Sequence, residues 1–517
     1  MRVTLGDSGE SGNMASKELD SLNNNHEAKS KEDGYHSDKQ LPAPKKRGRP
    51  RKKAKPENAH TGDIAEDLSN TSEDELRRKV PRKRKTAAAP ATVLEVPQIV
   101  SETKLLAAGD GEVGQLGIGE DGESGKPRFV AVCALGGKSE VQPKAVRCAA
   151  GAMHSLVLTS KGDMYSFGCN DDGTLGRVTA EEKDCFVPGR VDIPDNFKVS
   201  KIAVGNVHNV ALTTNGRVLL WGIYRDSNGP LGIDPKSDKA EPIRKPNDIT
   251  SLVPERIIDV ACGADHTLLL SNEGNVFSMG CAEQGRLGRI RRSHCCRQNR
   301  RGQAIMLSPG LVVVISRRKS VKFNRIWAGR YTSFARSEDG TIWGCGLNNF
   351  KQLGPLKASE MQDHCAFLMV RLHAFDPKIR WVDIVSGEQH TLALDDTGRV
   401  FAMGRVLYGR LGLGKADAND PDVTALTPLP DLEDITAIAA GDHTSFALNK
   451  RGSLFSWGQG TNMLGQGDRE VTEEQDLFTP TVCTSKVLKS SNVVHISAGS
   501  NHSLCIVTPR DLENNNG

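Results

Sequence analysis

From about Lys104 onward the chain alternates apolar and polar positions in short runs broken by glycine. Five segments have the same form: "SLVLTSKGDMYSFG", "NVALTTNGRVLLWG", "TLLLSNEGNVFSMG", "TLALDDTGRVFAMG" and "SFALNKRGSLFSWG". Each reads as an alternating strand, a polar turn with Gly where positive φ is needed, and a second alternating strand. A further strand candidate precedes several of them, as in "KIAVG", "IIDVACG", "RWVDIVSG" and "VVHISAG".

These runs recur with a period. Leu-Gly pairs begin at Leu116, Leu175, Leu231, Leu287, Leu353, Leu411 and Leu464, spaced 59, 56, 56, 66, 58 and 53 residues apart. A second marker, Gly-x-x-His, appears as "GAMHS", "GNVHN", "GADHT", "GEQHT" and "GSNHS"; "AAGDHT" reads as a shortened copy, and "GRYTS" has Thr332 in the His place. Several short strands per unit, repeated seven times, predict an all-β fold, a seven-bladed β-propeller. The chain enters at "KLLAAGDGEVGQLG", the second half of a unit, and leaves at "VVHISAGSNHSLCIV", the first half of one. Pairing these terminal strands would complete the seventh blade and leave no open sheet edge.

His154, His208, His266, His390, His443 and His502 read as one repeat position. A catalytic or metal-binding His is not needed six times around a ring, so a structural bond to a neighbouring turn is expected. The positions just before them, Met153, Val207, Asp265, Gln389, Asp442 and Asn501, should line one face.

One link breaks the pattern. Six residues separate the first Gly from the Leu-Gly in five links and five in another, but eight lie between Gly222 and Leu231, in "LWGIYRDSNGPLGI". Taken alone, this length is compatible with ordinary loop drift or with a functional projection.

Composition changes the picture at the N-terminus. The net charge of +4 conceals two dense basic blocks, "KKRGRPRKKAK" and "RRKVPRKRK", in a polar segment too poor in apolar residues to offset its ordering entropy. Residues 1–103 are therefore expected to be a disordered basic tail, 104–508 the propeller and 509–517 a short disordered end. No apolar run approaches membrane-spanning length, and the polar N-terminus is unlike a secretory signal. The 12 Cys are scattered and expected to be reduced; "SHCCRQ" lacks a second pair at zinc spacing, so no metal or cofactor is expected.

The repeat, with its G-x-x-H-T, G-x-V-x-x-W-G and G-x-L-G elements, resembles that of the regulator-of-chromosome-condensation family, nuclear exchange factors for the small GTPase Ran. "YSFGCNDDGTLGR", "LWGIYRDSNG" and "MGCAEQGRLGR" carry the resemblance most specifically. It implies that the long link, Tyr224, Arg225, Asp226, Ser227, Asn228, Gly229, Pro230 and Leu231, forms a β-wedge pressed against Ran near its phosphate-binding loop. It implies an exchange role for Asp265. Asn206 and Glu112 stand where the family has Asp, and Gln389 where it has His. It further implies a monomer at chromatin in the nucleus, producing Ran-GTP for nuclear transport, spindle assembly and nuclear envelope formation, without covalent catalysis.

Two basic segments extend this reading. Lys45, Lys46, Arg47, Gly48, Arg49, Pro50, Arg51, Lys52 and Lys53 look like an AT-hook, with Arg47 and Arg49 drawn into the narrow, electronegative minor groove of A/T-rich DNA. Both basic blocks also read as signals for nuclear import receptors. After Leu287, "GRIRRSHCCRQNRRGQ" stands where the family carries a switchback loop that enters the histone acidic patch of the nucleosome, with Arg297, Arg300 and Arg301 as candidates. The competing functions are a chromatin-binding propeller scaffold without exchange activity and a sensory scaffold like the plant ultraviolet-B receptor. The latter needs clustered Trp, whereas Trp221, Trp327, Trp343, Trp381 and Trp457 are dispersed.

Overall fold

The structure, a computed structural model, describes residues 94–510 apart from 121–122, 138–140, 195, 238, 295–299, 317–319, 417–419, 461 and 468–475. It is a propeller of seven four-stranded antiparallel sheets. Blade 1 spans Ala145–Arg190, blade 2 Val199–Asp248, blade 3 Ile257–Leu311, blade 4 Phe323–Arg371, blade 5 Trp381–Pro428 and blade 6 Ile435–Val482. Blade 7 joins Ser491–Ala498 and His502–Pro509 to Lys104–Gly109 and Lys126–Ala131. The expected closure is therefore present: Lys104 pairs with Val507 and Gly109 with His502. The innermost strands surround a central channel of about 340 Å³.

The inner three strands of each blade are those the alternation predicts. The outermost strands escape it. Gly189–Arg190 and Gly310–Leu311 are two residues long, and Ile243–Asp248 has no buried residue. A half-solvated edge strand has no second packed face to impose a period of two.

The Leu-Gly links plug the spaces between blades. All seven Leu are buried. The following Gly is held at positive φ against the next blade: a Cβ on Gly412 would sit 2.8 Å from Trp457 Nε1. Only Gly tolerates both conditions.

Two kinds of polar bond form seams between neighbouring blades, the first at five of the seven boundaries. His154, His208, His266, His390 and His502 each place Nε2 2.8–3.1 Å from the side chain of the second residue in the next blade's second strand: Asn209, Thr267, Ser333, Ser445 and Ser155. The bonded group is thus a side chain across the blade boundary rather than a turn. Those same acceptors donate to the carbonyl just before the preceding link's Leu: Ser155 to Gln115, Asn209 to Thr174, Ser333 to Arg286, Ser445 to Arg410. Since the hydroxyl proton is so used, the imidazole Nε2–H must be the donor. At blade 3 the long link displaces the usual carbonyl. The Tyr224 hydroxyl takes its place, 2.8 Å from Thr267 Oγ1.

His443 does not belong to this seam. Strand register pairs Gly458 with Thr444, as it pairs Gly404 with His390 and Gly280 with His266. The amide after each such Gly bonds the residue before the seam position, and Gln459 N bonds His443 O. Thr444 therefore holds the His place and His443 the face position assigned to Asp442. The motif was not shortened; its His moved by one. Thr332 takes the seam position in blade 4, as "GRYTS" suggested.

Burial pushes the seam imidazoles down, His154 to about 4 and His208 and His502 to about 3. The native state then binds fewer protons than the unfolded chain, whose His titrates near 6.5, so their contribution to stability is complete above 6.5 and lost as pH falls. Asp442, raised to about 6 chiefly by burial, acts in the opposite sense, as do Asp110, Asp265, Asp383 and Asp422, but among the described residues seven lowered histidines oppose these five. The urea midpoint is expected to fall steadily between about pH 7 and pH 4.5; a level midpoint would contradict neutral seam histidines. Tyr224→Phe, which removes one seam hydroxyl, should lower unfolding free energy by about 1 kcal/mol in the same assay, with wild-type stability arguing against the substitution of phenol for carbonyl.

Candidate functional site

The Gly-x-x-His turns and the links emerge on the same face of the ring, bonded to each other through pairs such as Cys281 N to Asp265 O. At the first variable position of the turns, Asn206, Ala264, Arg330, Asp442 and Ser500 line the channel mouth, with Ala152 and Glu388 their counterparts in blades 1 and 5. Their backbones form partial hoops, with Asn206 N bonding Ala264 O at 2.8 Å and Ala264 N bonding Arg330 O at 3.0 Å. The second variable position stands outside them: Met153, Val207, Asp265, Tyr331, Gln389, His443 and Asn501.

The long link is a two-stranded hairpin, Tyr224–Asp226 with Gly229–Gly232. Its turn is closed by Asn228 N bonding Asp226 Oδ1 at 2.8 Å, and Gly229 adopts φ +99° in open space. Arg225, Ser227, Asn228 and Pro230 are exposed, while Tyr224 and Leu231 are fully buried. Tyr224 therefore offers no surface to a partner; it is the root of the hairpin, packed 4.5 Å from the His208 ring. Both flanking links brace the projection. Arg225 Nη2 pairs with both carboxylate oxygens of Asp172 at 2.7 and 3.0 Å, and Glu283 accepts from the Ser227 amide at 3.1 Å and touches its hydroxyl.

Asp265 lies beneath the hairpin, 8% exposed. Its Oδ1 accepts the Arg225 amide at 2.9 Å, and Oδ2 lies 3.5 Å from Asn206 Nδ2. Burial raises its pKa, against the pull of Arg286, Arg330 and Arg225. A carboxylate so placed fixes the hairpin by a charge-assisted bond. The structure thus unites Asn206, Asp265 and Arg225, which are far apart in sequence.

The remaining candidates have other partners. Gln389 Oε1 accepts from Arg405 and Arg410 at 3.0 and 2.8 Å. Glu112 is exposed in the first link, where its charge adds to the burial that raises Asp110. Sequence reading passed over Arg330, Glu388 and Arg286, whose turns and links offered only isolated charges in place of a motif. The one available signal was Arg330 itself, in the turn that lacks a His.

The segment after Leu287 is not a continuous loop. Arg300 and Arg301 open a helix, Arg300–Leu307, while Arg297 lies outside the described residues. The helix forms because Met306 and Leu307 enter the core beside Tyr224, Leu231 and Leu287. Arg289 Nη2 caps its end on the carbonyls of Ile305 and Ser308, both at 2.9 Å. Gln303 Nε2 donates to Leu231 O at 2.7 Å. Lys45 to Lys53 also lie outside the described residues.

A family model described as the RCC1-like domain matches residues 104–505. The regulator of chromosome condensation of Xenopus laevis is 36% identical over 79% of the chain and 90% of its own length. The human protein of that name is 35% identical over 79% and 91%. The crystal structure of Prp20p from Saccharomyces cerevisiae, described with its binding to Gsp1p and histones, superposes with a TM-score of 0.70 at 27% identity, covering 80% of this chain and 93% of that one. The Arabidopsis thaliana ultraviolet-B receptor is 28% identical over 78% of the chain and 87% of its own length. Here all five Trp are buried within blades. With its seven-bladed ring, split seventh blade and these relatives, the chain belongs to the regulator-of-chromosome-condensation family.

Proposed function

We propose that the protein is a guanine-nucleotide exchange factor for the small GTPase Ran, acting through the hairpin at Tyr224–Gly232. The observation that carries this reading is the bond from the Arg225 amide to the buried Asp265 carboxylate, with Asp172 and Glu283 on either side. A projection braced at three points arrives at its partner already ordered, so contact energy is available to displace the partner's phosphate-binding loop. Weakening the hold on nucleotide requires nucleotide to weaken the hold on the factor equally, and exchange therefore runs in both directions. Family membership supports this mechanism, as does the name of a Saccharomyces cerevisiae relative, guanine nucleotide exchange factor SRM1, 27% identical over 70% of the chain.

The same proposal places the protein on chromatin in the nucleus. Arg297, Arg300 and Arg301 would meet the nucleosomal acidic patch through planar, two-bond contacts, and Lys45 to Lys53 would enter the minor groove. The description of Prp20p with histones favours the first, and a second structure, yeast RCC1 (Prp20) bound to Kap60, at 26% identity and TM-score 0.70, favours recognition of the basic blocks by an import receptor.

Release of a fluorescent guanine nucleotide from Ran tests the reading directly. Wild-type protein should accelerate it, and Asp265→Ala should slow that acceleration by about tenfold or more while leaving nucleosome binding intact. No acceleration by the wild type would leave the inert scaffold as the better account. Removing residues 1–90 should lower DNA affinity and reduce the salt slope by about 0.9 for each phosphate no longer neutralised; an unaltered slope would discount the hook.

A further inference from the structure

Arg330 does more than line the channel. It projects from the blade 4 turn across the mouth, and its guanidinium meets four other blades. Nη1 donates to Asn206 Oδ1 of blade 2 at 3.2 Å and to Ser500 Oγ of blade 7 at 2.8 Å, and lies 2.6 Å from Asp442 Oδ1 of blade 6; Nε is 3.4 Å from Glu388 Oε1 of blade 5. The side chain is 18% exposed. Of its partners, Asn206 has a second function, for its amide nitrogen faces Asp265 Oδ2. The backbone repeats this path, because Arg330 O accepts from Ala264 N, the residue before Asp265. One route thus leads from the guanidinium through Asn206 to the carboxylate under the hairpin, and a second leads there from the Arg330 main chain.

We propose that Arg330 is a positioning residue for nucleotide exchange, holding Asn206 and the Gly263–Asp265 turn so that Asp265 meets the Arg225 amide and keeps the hairpin upright. The proposal rests on the exchange reading for its consequence, but its structural half stands apart from Ran. Structural stabilisation alone would require only the ion pairs. Asn206 would then be dispensable, and the hairpin would be indifferent to Arg330.

The surroundings of the guanidinium shape the choice of variant. Asp442 and Glu388 face it, His443 Nε2 lies 3.6 Å from Glu388, and Tyr331, Arg286 and Arg410 complete the charged neighbourhood. Removing Arg330 alone would strand two carboxylates, one already pushed up to about 6 by its burial. Arg330→Met is therefore paired with Asp442→Asn, and Asn206→Ala serves as a second variant that cuts the route to Asp265 and leaves the ion pairs in place.

Amide hydrogen exchange on the free protein reads the first half. Residues 224–232 should exchange about tenfold faster in Arg330→Met/Asp442→Asn and in Asn206→Ala, with the blade cores unchanged. Nucleotide release from Ran reads the second half. The maximal rate should fall about tenfold in either variant with half-saturating concentration changed by less than about threefold, and combining Asn206→Ala with the double variant should add little. Arg330→Lys should recover part of the rate. Wild-type hairpin exchange in both variants would overturn the proposal whatever Ran does. Faster hairpin exchange in a protein that never accelerates release would overturn the exchange reading and leave the positioning of the hairpin standing.

Discussion

The molecule depends on the pairing of its first propeller strand with its last. Lys104–Gly109 lies against His502–Pro509 along its whole length, and without that pairing blade 7 would be two incomplete sheets with open edges. Closure also makes the seams meaningful. His502 of blade 7 reaches Ser155 of blade 1, and Ser500 N reaches Gly151 O, so polar bonds also cross the boundary beside the blade that the two ends of the propeller build together. Each such bond is worth only about 1 kcal/mol net, but a ring cannot open at one seam without disturbing both neighbours.

This rigidity permits the projection. A free two-stranded hairpin is marginal in water, and the one at Tyr224–Gly232 survives because a closed frame fixes what it stands on. Tyr224 joins the seam through Thr267, Leu231 enters the core, and the Asp172, Asp265 and Glu283 carboxylates come from three different blades or links. The two additional residues of the link cost the regular carbonyl-to-hydroxyl contact at this boundary. The phenol of Tyr224 restores it, which explains why an aromatic residue heads a segment otherwise made of turn formers.

Most of the fold was legible because its determinants are local and repeated. Alternation marked the inner strands, Gly at fixed offsets marked turns and links, and the mismatched halves at the two ends announced the closure. The outer strands were not legible, being too short or too exposed for periodicity. The site was legible as a set of separate residues and not as an assembly. The long link departed visibly from the repeat and Asp265 was singled out by the family resemblance, but the hydrogen bond joining them depends on blade 2 and blade 3 standing side by side. Arg330 was marked only by its turn, which lacks a His, and its role was hidden for the same reason: its partners come from residues 206 to 500, brought together only at the axis of the ring. The displaced His443 records a different limit, since a marker matched by eye shifts by one residue unless strand register fixes it.

The distribution of charge separates scaffold from working surface. At the seams, buried polar groups are neutral: imidazoles held unprotonated by burial bond hydroxyls that in turn bond carbonyls. At the channel mouth the protein instead buries Asp265 and Asp442 among arginines, where desolvation opposes ionisation. Apolar side chains would fill the mouth with less penalty, and ion pairs of this kind rarely improve stability over such replacements. Their value lies in direction. A carboxylate accepts only along defined lines, so Arg330, Asn206 and Asp265 can specify where the Arg225 amide must sit, which a hydrophobic contact cannot do. The closed ring bears the energetic burden of that arrangement, and the hairpin gains a fixed orientation from it.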